Sequence, residues 1–348
     1  MATKLLRLTG SVALLGFLAW RTDWRQIAAA FAGLRVGLWL LAVAVYAVAQ
    51  LVSSLRWRLL ARPLGFAHTL GQFIAFYYVG MFFNLVLPTS VGGDVVRAWY
   101  LDGRSGRKVA AFLSVFADRA SGLLMLLAIA CAAVACSPLD LPRQIPWIVY
   151  GLGACAALGL AMLFVLSRRN AKYRRQKAKG KMEERSSEER RGWRQRLRNL
   201  HFAFCSLYFA LFPSYRVILV TTLLSVVVQS ANVILVWLLG WALGVAAPAS
   251  YYWILVPIVT LMTMVPISLN GIGVREWGTV LLLAPLGVAH ATALTLAFLW
   301  FATCSAVSLA GAGFYLLGHF PRFEVRPDDE PVRGDPDQGR EGQHHAAA

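Results

Sequence analysis

Long apolar runs recur along most of this chain and set its fold class. Five of them are long enough to cross about 30 Å of hydrocarbon as helices: residues 36–56, 110–136, 146–167, 216–244 and 289–317. A further candidate, 5–20, is shorter and contains Arg7. A retained helix and a cleaved signal peptide are both open for this stretch, and the lack of a small-x-small cleavage site soon after Trp20 favours the helix. The pattern predicts an all-α polytopic membrane protein with about six full spans.

Two other apolar segments are each interrupted by a version of the same phrase. Residues 87–99 (LPTSVGGDVVRAW) and 265–277 (VPISLNGIGVREW) lie 178 positions apart and share Pro, Ser, Gly, Val, Arg and Trp in register. Each version places a helix breaker, glycines and charge inside an apolar run. Non-helical backbone at membrane depth must be satisfied by protein or by a wet cavity, and a matched pair of broken segments points to a transport site.

Charge sets the orientation of these segments. Between residues 168 and 198 there are fourteen Lys or Arg against four Glu, which accounts for ten of the formal net charge of +17. Because basic loops stay in the cytoplasm, the loop 168–200 is predicted to be cytoplasmic. Counting crossings backwards from this loop places the basic clusters at Arg56–Arg62 and around Lys108 on the same side. The segment 69–103 between them is therefore predicted to enter and leave the membrane there, as a re-entrant hairpin.

The same count divides the chain into two halves of opposite orientation. Counting forwards gives a second re-entrant hairpin, about 250–287, which enters from the outer face. A shift of 178 moves the spans 36–56 and 110–136 onto 214–234 and 288–314, which also fall on predicted spans. We therefore predict an inverted-repeat helical bundle with two re-entrant hairpins. Its parts are a first repeat over 1–137, a second repeat over 138–320 and a polar cytoplasmic tail over 321–348.

Composition and motifs exclude several function classes. The basic loop lies beside the membrane and no nucleic-acid module accompanies it, so it indicates topology, with contact to anionic lipid as a second role, and no nucleic-acid partner. The cysteines and histidines show no metal-ligand spacing, and no Walker loop, GxSxG or HExxH phrase is present. The sequence therefore predicts no enzyme activity, no metal and no cofactor.

Six ionisable residues accompany the broken segments and the span 110–136. They form three sets of sequence neighbours: Asp94 with Arg97, Asp118 with Arg119, and Arg275 with Glu276. A charge at membrane depth costs about 2.5–3.5 kcal/mol, so each of them needs a partner or a purpose. Two interpretations are open: the sets pair with one another, or they form a lipid head-group site in which arginine binds a phosphodiester through two hydrogen bonds. Placement of Asp118 and Arg119 at mid-membrane or near the inner interface is open as well.

The hairpin breaks supply the other candidate site residues. The predicted break positions are Pro88, Gly92 and Gly93 in the first hairpin and Pro266, Gly271 and Gly273 in the second. In the first hairpin, Pro88 ends the apolar helix, the two glycines turn the chain and Asp94 begins a short helix. The N-termini of the short helices add backbone donors for an anion. For Asn84 two roles are open, as a helix cap or in the cavity lining, and Asn270 is a further candidate for lipid binding.

Three phrases carry a resemblance to a known family. LPxSxGGDxxR (87–97), NGxGxRE (270–276) and the apolar-embedded DRxxG (118–122) resemble hallmarks of the lysylphosphatidylglycerol synthase transmembrane-region family, also called flippase-like integral membrane proteins. The resemblance covers about residues 1–320. It implies a module similar to the flippase half of enzymes that aminoacylate phosphatidylglycerol and move the product across the bilayer. The chain departs by carrying Asp118 where Glu is more usual, and the short polar tail after Phe320 leaves no room for the soluble aminoacyl-transferase domain.

The residues and the resemblance together predict a membrane lipid translocator. A phospholipid or other phosphate-bearing lipid would place its head group in a polar cavity between the two hairpins, where Arg97 and Arg275 contact phosphate from opposite faces and Arg119 assists. Asp94, Asp118 and Glu276 would balance charge in the empty site. The alternative is a non-transporting membrane subunit that presents lipid to a separate glycosyl- or acyl-transferase, and a lipid-modifying enzyme is a third class. The expected location is the cell inner membrane.

Overall fold

The computed structural model describes residues 32–87, 92–103, 106–136, 146–159, 161–162, 215–264 and 271–317, together with Arg25, and these residues contain helices and no strands. In chain order the helices are α1 (Val36–Ala61), α2 (Leu70–Val86), α3 (Gly92–Asp102), α4 (Lys108–Ala135), α5 (Pro146–Gly159), α6 (Tyr215–Ala242), α7 (Ala249–Met264), α8 (Val274–Leu283) and α9 (His290–Leu317). Short 3-10 turns follow α1 (Arg62–Leu64) and α8 (Ala284–Leu286). The predicted all-α class is confirmed.

Four of these helices are long and apolar enough to cross a membrane. They are α1 with its 3-10 turn (Val36–Leu64), α4, α6 and α9, and each coincides with a predicted span. The predicted span 146–167 corresponds to α5, a shorter helix, and most of the rest of that span lies outside the described residues. The stretch 5–20, the basic loop 168–200 and the tail 321–348 lie outside them as well.

Shorter helices occupy the regions where the two hairpins are predicted. α2 and α7 contain 17 and 16 residues, and α3 and α8 contain 11 and 10. At 1.5 Å per residue, α3 is about 17 Å long, well short of a hydrocarbon layer of about 30 Å. α2 packs against α3, and α7 packs against α8. Each pair therefore contains one helix that is too short to cross a membrane.

The first break differs from the prediction in one respect. Leu87 is extended and ends α2, as expected for a residue before proline. Gly92 and Gly93, predicted to turn the chain, instead form the first turn of α3. Packing explains the difference, because a side chain at Gly93 would overlap the backbone carbonyl of Gly80 in α2. The glycine serves the close approach of two helices and not the turn.

The second break follows the prediction more closely. Gly271 and Gly273 have φ angles of 75° and 88°, a backbone region that favours glycine. α8 begins at the next residue, Val274. The remaining predicted break residues, Pro88 and Pro266, and the candidate lipid-binding residue Asn270 lie outside the described residues.

The two halves of the chain share one order of helices. A shift of 178 moves α1, α2, α3 and α4 onto segments that overlap α6, α7, α8 and α9. The packing repeats too: α2 lies against α9 while α7 lies against α4, so the second helix of each half packs on the last helix of the other half. The first helices of the halves, α1 and α6, pack along one another. We call α1–α4 the first half and α6–α9 the second half.

Candidate functional site

A cavity of about 400 Å³ lies between the two halves. Every helix of both halves contributes to its wall. Its charged, amide, and Ser or Thr residues are Gln50, Arg56, Asn84, Arg97, Asp118, Arg119, Gln229, Thr260, Thr263, Arg275, Ser305 and Ser308. A polar cavity inside an apolar bundle is the feature that the interrupted segments predict.

Asp118 is the centre of a buried ion-pair network. Its Oδ1 accepts a hydrogen bond from Arg56 Nε at 3.0 Å, and its Oδ2 accepts one from Arg97 Nη2 at 3.1 Å. The side chains of the two arginines are 5% exposed and that of Asp118 is 2% exposed. Arg56 also donates to Ser225 Oγ at 3.0 Å. One carboxylate in α4 therefore holds guanidinium groups from α1 and α3, and Ser225 ties the network to α6.

Arg97 is held by aromatic rings as well as by charge. Its guanidinium lies over the rings of Trp57 and Tyr77, 4.2 Å from each centroid. Trp57 is itself oriented, since its indole N–H donates to Ser114 Oγ at 3.1 Å. The Nη1 atom of Arg97 is 3.7 Å from Asp94 Oδ1, which is beyond hydrogen-bond range. Arg97 thus has a fixed orientation, and its buried Nε has no hydrogen-bond partner among the described residues.

The acid–base sets that are neighbours in sequence exchange partners in the structure. Asp118 pairs with Arg56 and Arg97 and forms no ion pair with Arg119. Arg119 Nε instead lies 2.5 Å from Asp94 Oδ2, and its side chain is 42% exposed. Asp118 and Arg119 therefore each pair with a residue outside their own set. Consecutive residues of a helix point about 100° apart, so they seldom meet the same partner.

Arg275 reaches the cavity from the second half, and no described acidic residue forms an ion pair with it. Its guanidinium lies 5.1 Å from the ring centroid of Phe301 and 5.8 Å from that of Trp300. The neighbouring Glu276 is buried and accepts the backbone N–H of Gly273 at 2.5 Å, which caps α8. These two neighbours form no ion pair with each other, because the carboxylate is used by the helix terminus. Within the part of the chain that the structure describes, Arg275 forms no ion pair.

Asn84 has a structural role at the predicted position. Its side-chain oxygen accepts the N–H of Gly93 at 2.8 Å, so α2 caps the first turn of α3. Asn84 also lines the cavity, so both of the roles open for it occur together. The structure therefore brings Asn84, Arg97, Asp118, Arg119 and Arg275 to one cavity.

Sequence reasoning missed Arg56 as a site residue. Its position beside Arg58 and Arg62 suggested the cytoplasmic end of a span, yet α1 continues through Ala61 and Arg56 is buried. A signal was available: Gln50, Ser53 and Ser54 form a polar stripe on one side of an apolar helix, and Arg56 lies one turn beyond Ser53. A polar stripe within a membrane helix indicates a face turned to the interior of the bundle.

The cavity carries more positive than negative charge. Among the residues that the structure describes, four arginines line it: Arg56, Arg97, Arg119 and Arg275. The carboxylates that pair with them are Asp94 and Asp118. Two formal positive charges are thus left over, and this surplus favours an anionic ligand.

Replacing Gly80 with alanine should disturb this network from outside the cavity. A methyl group at Gly80 would overlap the Cγ and Cδ atoms of Arg97. We expect a loss of about 1–3 kcal/mol in the free energy of unfolding, as is usual for overpacked positions, measured by thermal or denaturant unfolding in detergent. Gly71 in the same helix has open space around it, so Gly71→Ala is the matched control and should be neutral or slightly stabilising. Equal behaviour of the two variants would contradict this packing.

Comparison with known proteins identifies a family. Residues 4–311 match the family described as the lysylphosphatidylglycerol synthase TM region. The matched segment contains the first half, all of the second half except the last six residues of α9, and Arg56, Arg97, Arg119 and Arg275. No curated protein and no solved structure matches the chain.

Proposed function

Because the chain belongs to the lysylphosphatidylglycerol synthase transmembrane-region family, we propose that it is a lipid translocator that moves a phosphate-bearing head group through the cavity between its halves. One observation carries the proposal. Arg275 enters the cavity from the second half without an ion-pair partner in the described part of the chain, while Arg97 enters from the first half. Two arginines from opposite halves suit a phosphodiester held between them.

Three of the cavity arginines already have acidic partners among the described residues. Asp118 holds Arg56 and Arg97, and Asp94 holds Arg119. A phosphate that enters would contact Arg275 and the free donor of Arg97, and the exposed Arg119 would be within the same cavity. Asp118 would keep Arg97 in place during this exchange. The acids thus position the arginines and do not contact the lipid.

The proposed path depends on the inverted-repeat arrangement. We propose that α2–α3 and α7–α8 are re-entrant hairpins that enter from opposite faces and open the cavity to each side in turn. The shared order of helices, the exchanged packing of second and last helices, and the short length of α3 and α8 support this arrangement. The basic loop 168–200 would lie in the cytoplasm and the protein in the cell inner membrane.

Lipid movement in proteoliposomes tests the proposal. The purified protein is reconstituted with fluorescent phosphatidylglycerol, and a membrane-impermeant quencher reports the label that reaches the outer leaflet. We expect protein-dependent movement of this lipid and none of a fluorescent glycosyl diacylglycerol, which has a polar head group without phosphate. Equal movement of both lipids, or of neither, would contradict the proposal. If the protein moves no lipid but co-purifies with a glycosyl- or acyl-transferase, the result would favour the alternative function, a membrane subunit that presents lipid to that enzyme.

A further inference from the structure

We infer that α7 and α8 move as one body against a scaffold formed by the other helices of the two halves. The inference deepens the proposed function, on which its meaning for transport rests, because it says which helices open the cavity. It follows from where polar side chains connect one helix to another. In a membrane, polar contacts hold helices together more firmly than apolar ones do, because lipid tails are as apolar as the side chains that they replace.

Ion pairs join three helices at the centre of the scaffold. The pair of Arg56 with Asp118 joins α1 to α4. α3 is joined to α4 twice, through Arg97, which shares that carboxylate, and through the pair of Asp94 with Arg119. A buried charge that loses its partner is strongly unfavourable, so α1, α3 and α4 are expected to stay together.

Hydrogen bonds between helices add α2, α6 and α9 to this scaffold. Each of these bonds has one end in α1 or α4. The pairs are Tyr78 with the carbonyl of Ala47 (α2 to α1), Trp39 with Thr303 (α1 to α9), and Gln229 with the carbonyl of Gly122 (α6 to α4), at 3.2, 3.0 and 2.9 Å.

α7 and α8 are tied to one another but not to the scaffold. The hydroxyl of Tyr251 in α7 donates to the carbonyl of Leu282 in α8. Glu276 is used within the same pair, where it caps α8. Among the described residues, no side-chain hydrogen bond or ion pair joins α7 or α8 to a helix outside this pair. Tyr252 packs against Gly240 of α6, yet its buried hydroxyl has no partner.

The contacts of α7 and α8 with the scaffold are apolar, apart from those of Arg275. Its guanidinium lies 5.1 and 5.8 Å from the ring centroids of Phe301 and Trp300 in α9, whereas Arg97 lies 4.2 Å from its own rings. Cation–π attraction extends to about 6 Å, so Arg275 can shift without leaving an acid unpaired. Arg275 would thus move with α8, toward or away from the arginines that the scaffold holds.

A proline allows α7 to bend. Pro257 lies inside α7 and is buried. Because proline has no N–H, the carbonyl of Trp253, four residues earlier, lacks its helical donor. The described residues of α2, the matching helix of the first half, contain no proline. We therefore expect the bend to occur at Pro257.

Distances between spin labels test the movement without any transport. Leu281 in α8 and Val95 in α3 are matched sites, 49% and 48% exposed, and the exposed Leu219 of α6 is the scaffold reference. The pairs Leu281→Cys with Leu219→Cys and Val95→Cys with Leu219→Cys are labelled in a protein without native cysteines, in lipid nanodiscs. We expect the first distance distribution to be at least about twofold wider, because helices without polar ties slide.

The outcomes separate this inference from the translocator proposal. Equal widths, or a wider distribution for the Val95 pair, would overturn the inference, although the translocator proposal would stand if lipid moves. If the widths differ as expected and no lipid moves, the translocator proposal fails and the moving pair of helices remains.

Pro257→Ala connects the movement to lipid transport. Alanine restores the missing N–H and should stiffen α7, so we expect the width for the Leu281 pair and the rate of phosphatidylglycerol movement each to fall at least about twofold. Pro248→Ala is the matched control, because Pro248 is exposed and lies just before α7, and it should behave like the wild type. Unchanged width and rate in a Pro257→Ala protein that keeps its melting temperature would overturn α7 as the bending element.

Discussion

Replacing Arg275 with glutamine should slow phospholipid movement by roughly 10- to 100-fold and leave the fold intact. Hydrogen bonds from a charged group contribute about 1.5–3 kcal/mol each, and about 1.4 kcal/mol corresponds to a factor of ten in rate. Glutamine keeps part of the length of the side chain but has no charge. Since Arg275 forms no ion pair among the described residues, its removal strands no buried carboxylate. Stability should therefore change little.

The measurement compares transport rates of variants with equal melting temperatures. Arg216→Gln is the matched control, because Arg216 is exposed at the start of α6 and away from the cavity lining. Arg275→Lys keeps the charge but loses the planar fork, so its rate should lie between those of the wild type and Arg275→Gln. A wild-type rate in Arg275→Gln would exclude this residue from the lipid path.

The second large effect is expected at Asp118, and it concerns stability first. Asp118→Asn leaves the buried Arg56 and Arg97 without the carboxylate that both contact. Breaking a buried ion pair by removing one partner typically costs about 3–5 kcal/mol, because a buried charge is left uncompensated. We expect a large loss in the free energy of unfolding and, with it, loss of transport.

A double-mutant cycle separates charge from shape at this position. Asp118→Asn should cost less in an Arg56→Gln background than in the wild type, with a coupling of about 0.5–3 kcal/mol for residues in one network. Asp118→Glu keeps the charge and should be tolerated much better than Asp118→Asn. A loss in Asp118→Asn no larger than the loss in Asp118→Glu would contradict charge as the deciding feature.

The parts of this structure that length and periodicity control were predictable from sequence. The four long helices fall on predicted spans because crossing hydrocarbon requires a long apolar run. The short helices α3 and α8 follow from proline and glycine within such runs. The family resemblance, carried by phrases around Arg97, Asp118 and Arg275, is confirmed.

The pairing of charges was not predictable from sequence because it depends on which helices meet. Arg56 lies 62 positions before Asp118, and only the packing of α1 on α4 brings them together. Glu276 looked like a partner for Arg275, but the unsatisfied N–H of Gly273 competes for its carboxylate. Gly93 suggested a turn, whereas its contact with Gly80 is a property of two helices and cannot be read from either one.

The proposed lipid path requires two re-entrant hairpins that enter from opposite faces and enclose the arginine-lined cavity. Labelling of single cysteines with a membrane-impermeant maleimide, in a background without the five native cysteines, tests this most directly. Arg62→Cys and Lys108→Cys flank α2–α3, and Ala246→Cys and Ala289→Cys flank α7–α8, all at exposed positions. We predict that the first two are labelled from the cytoplasmic face only and the last two from the opposite face only. Labelling of Arg62→Cys and Lys108→Cys from different faces would contradict the account.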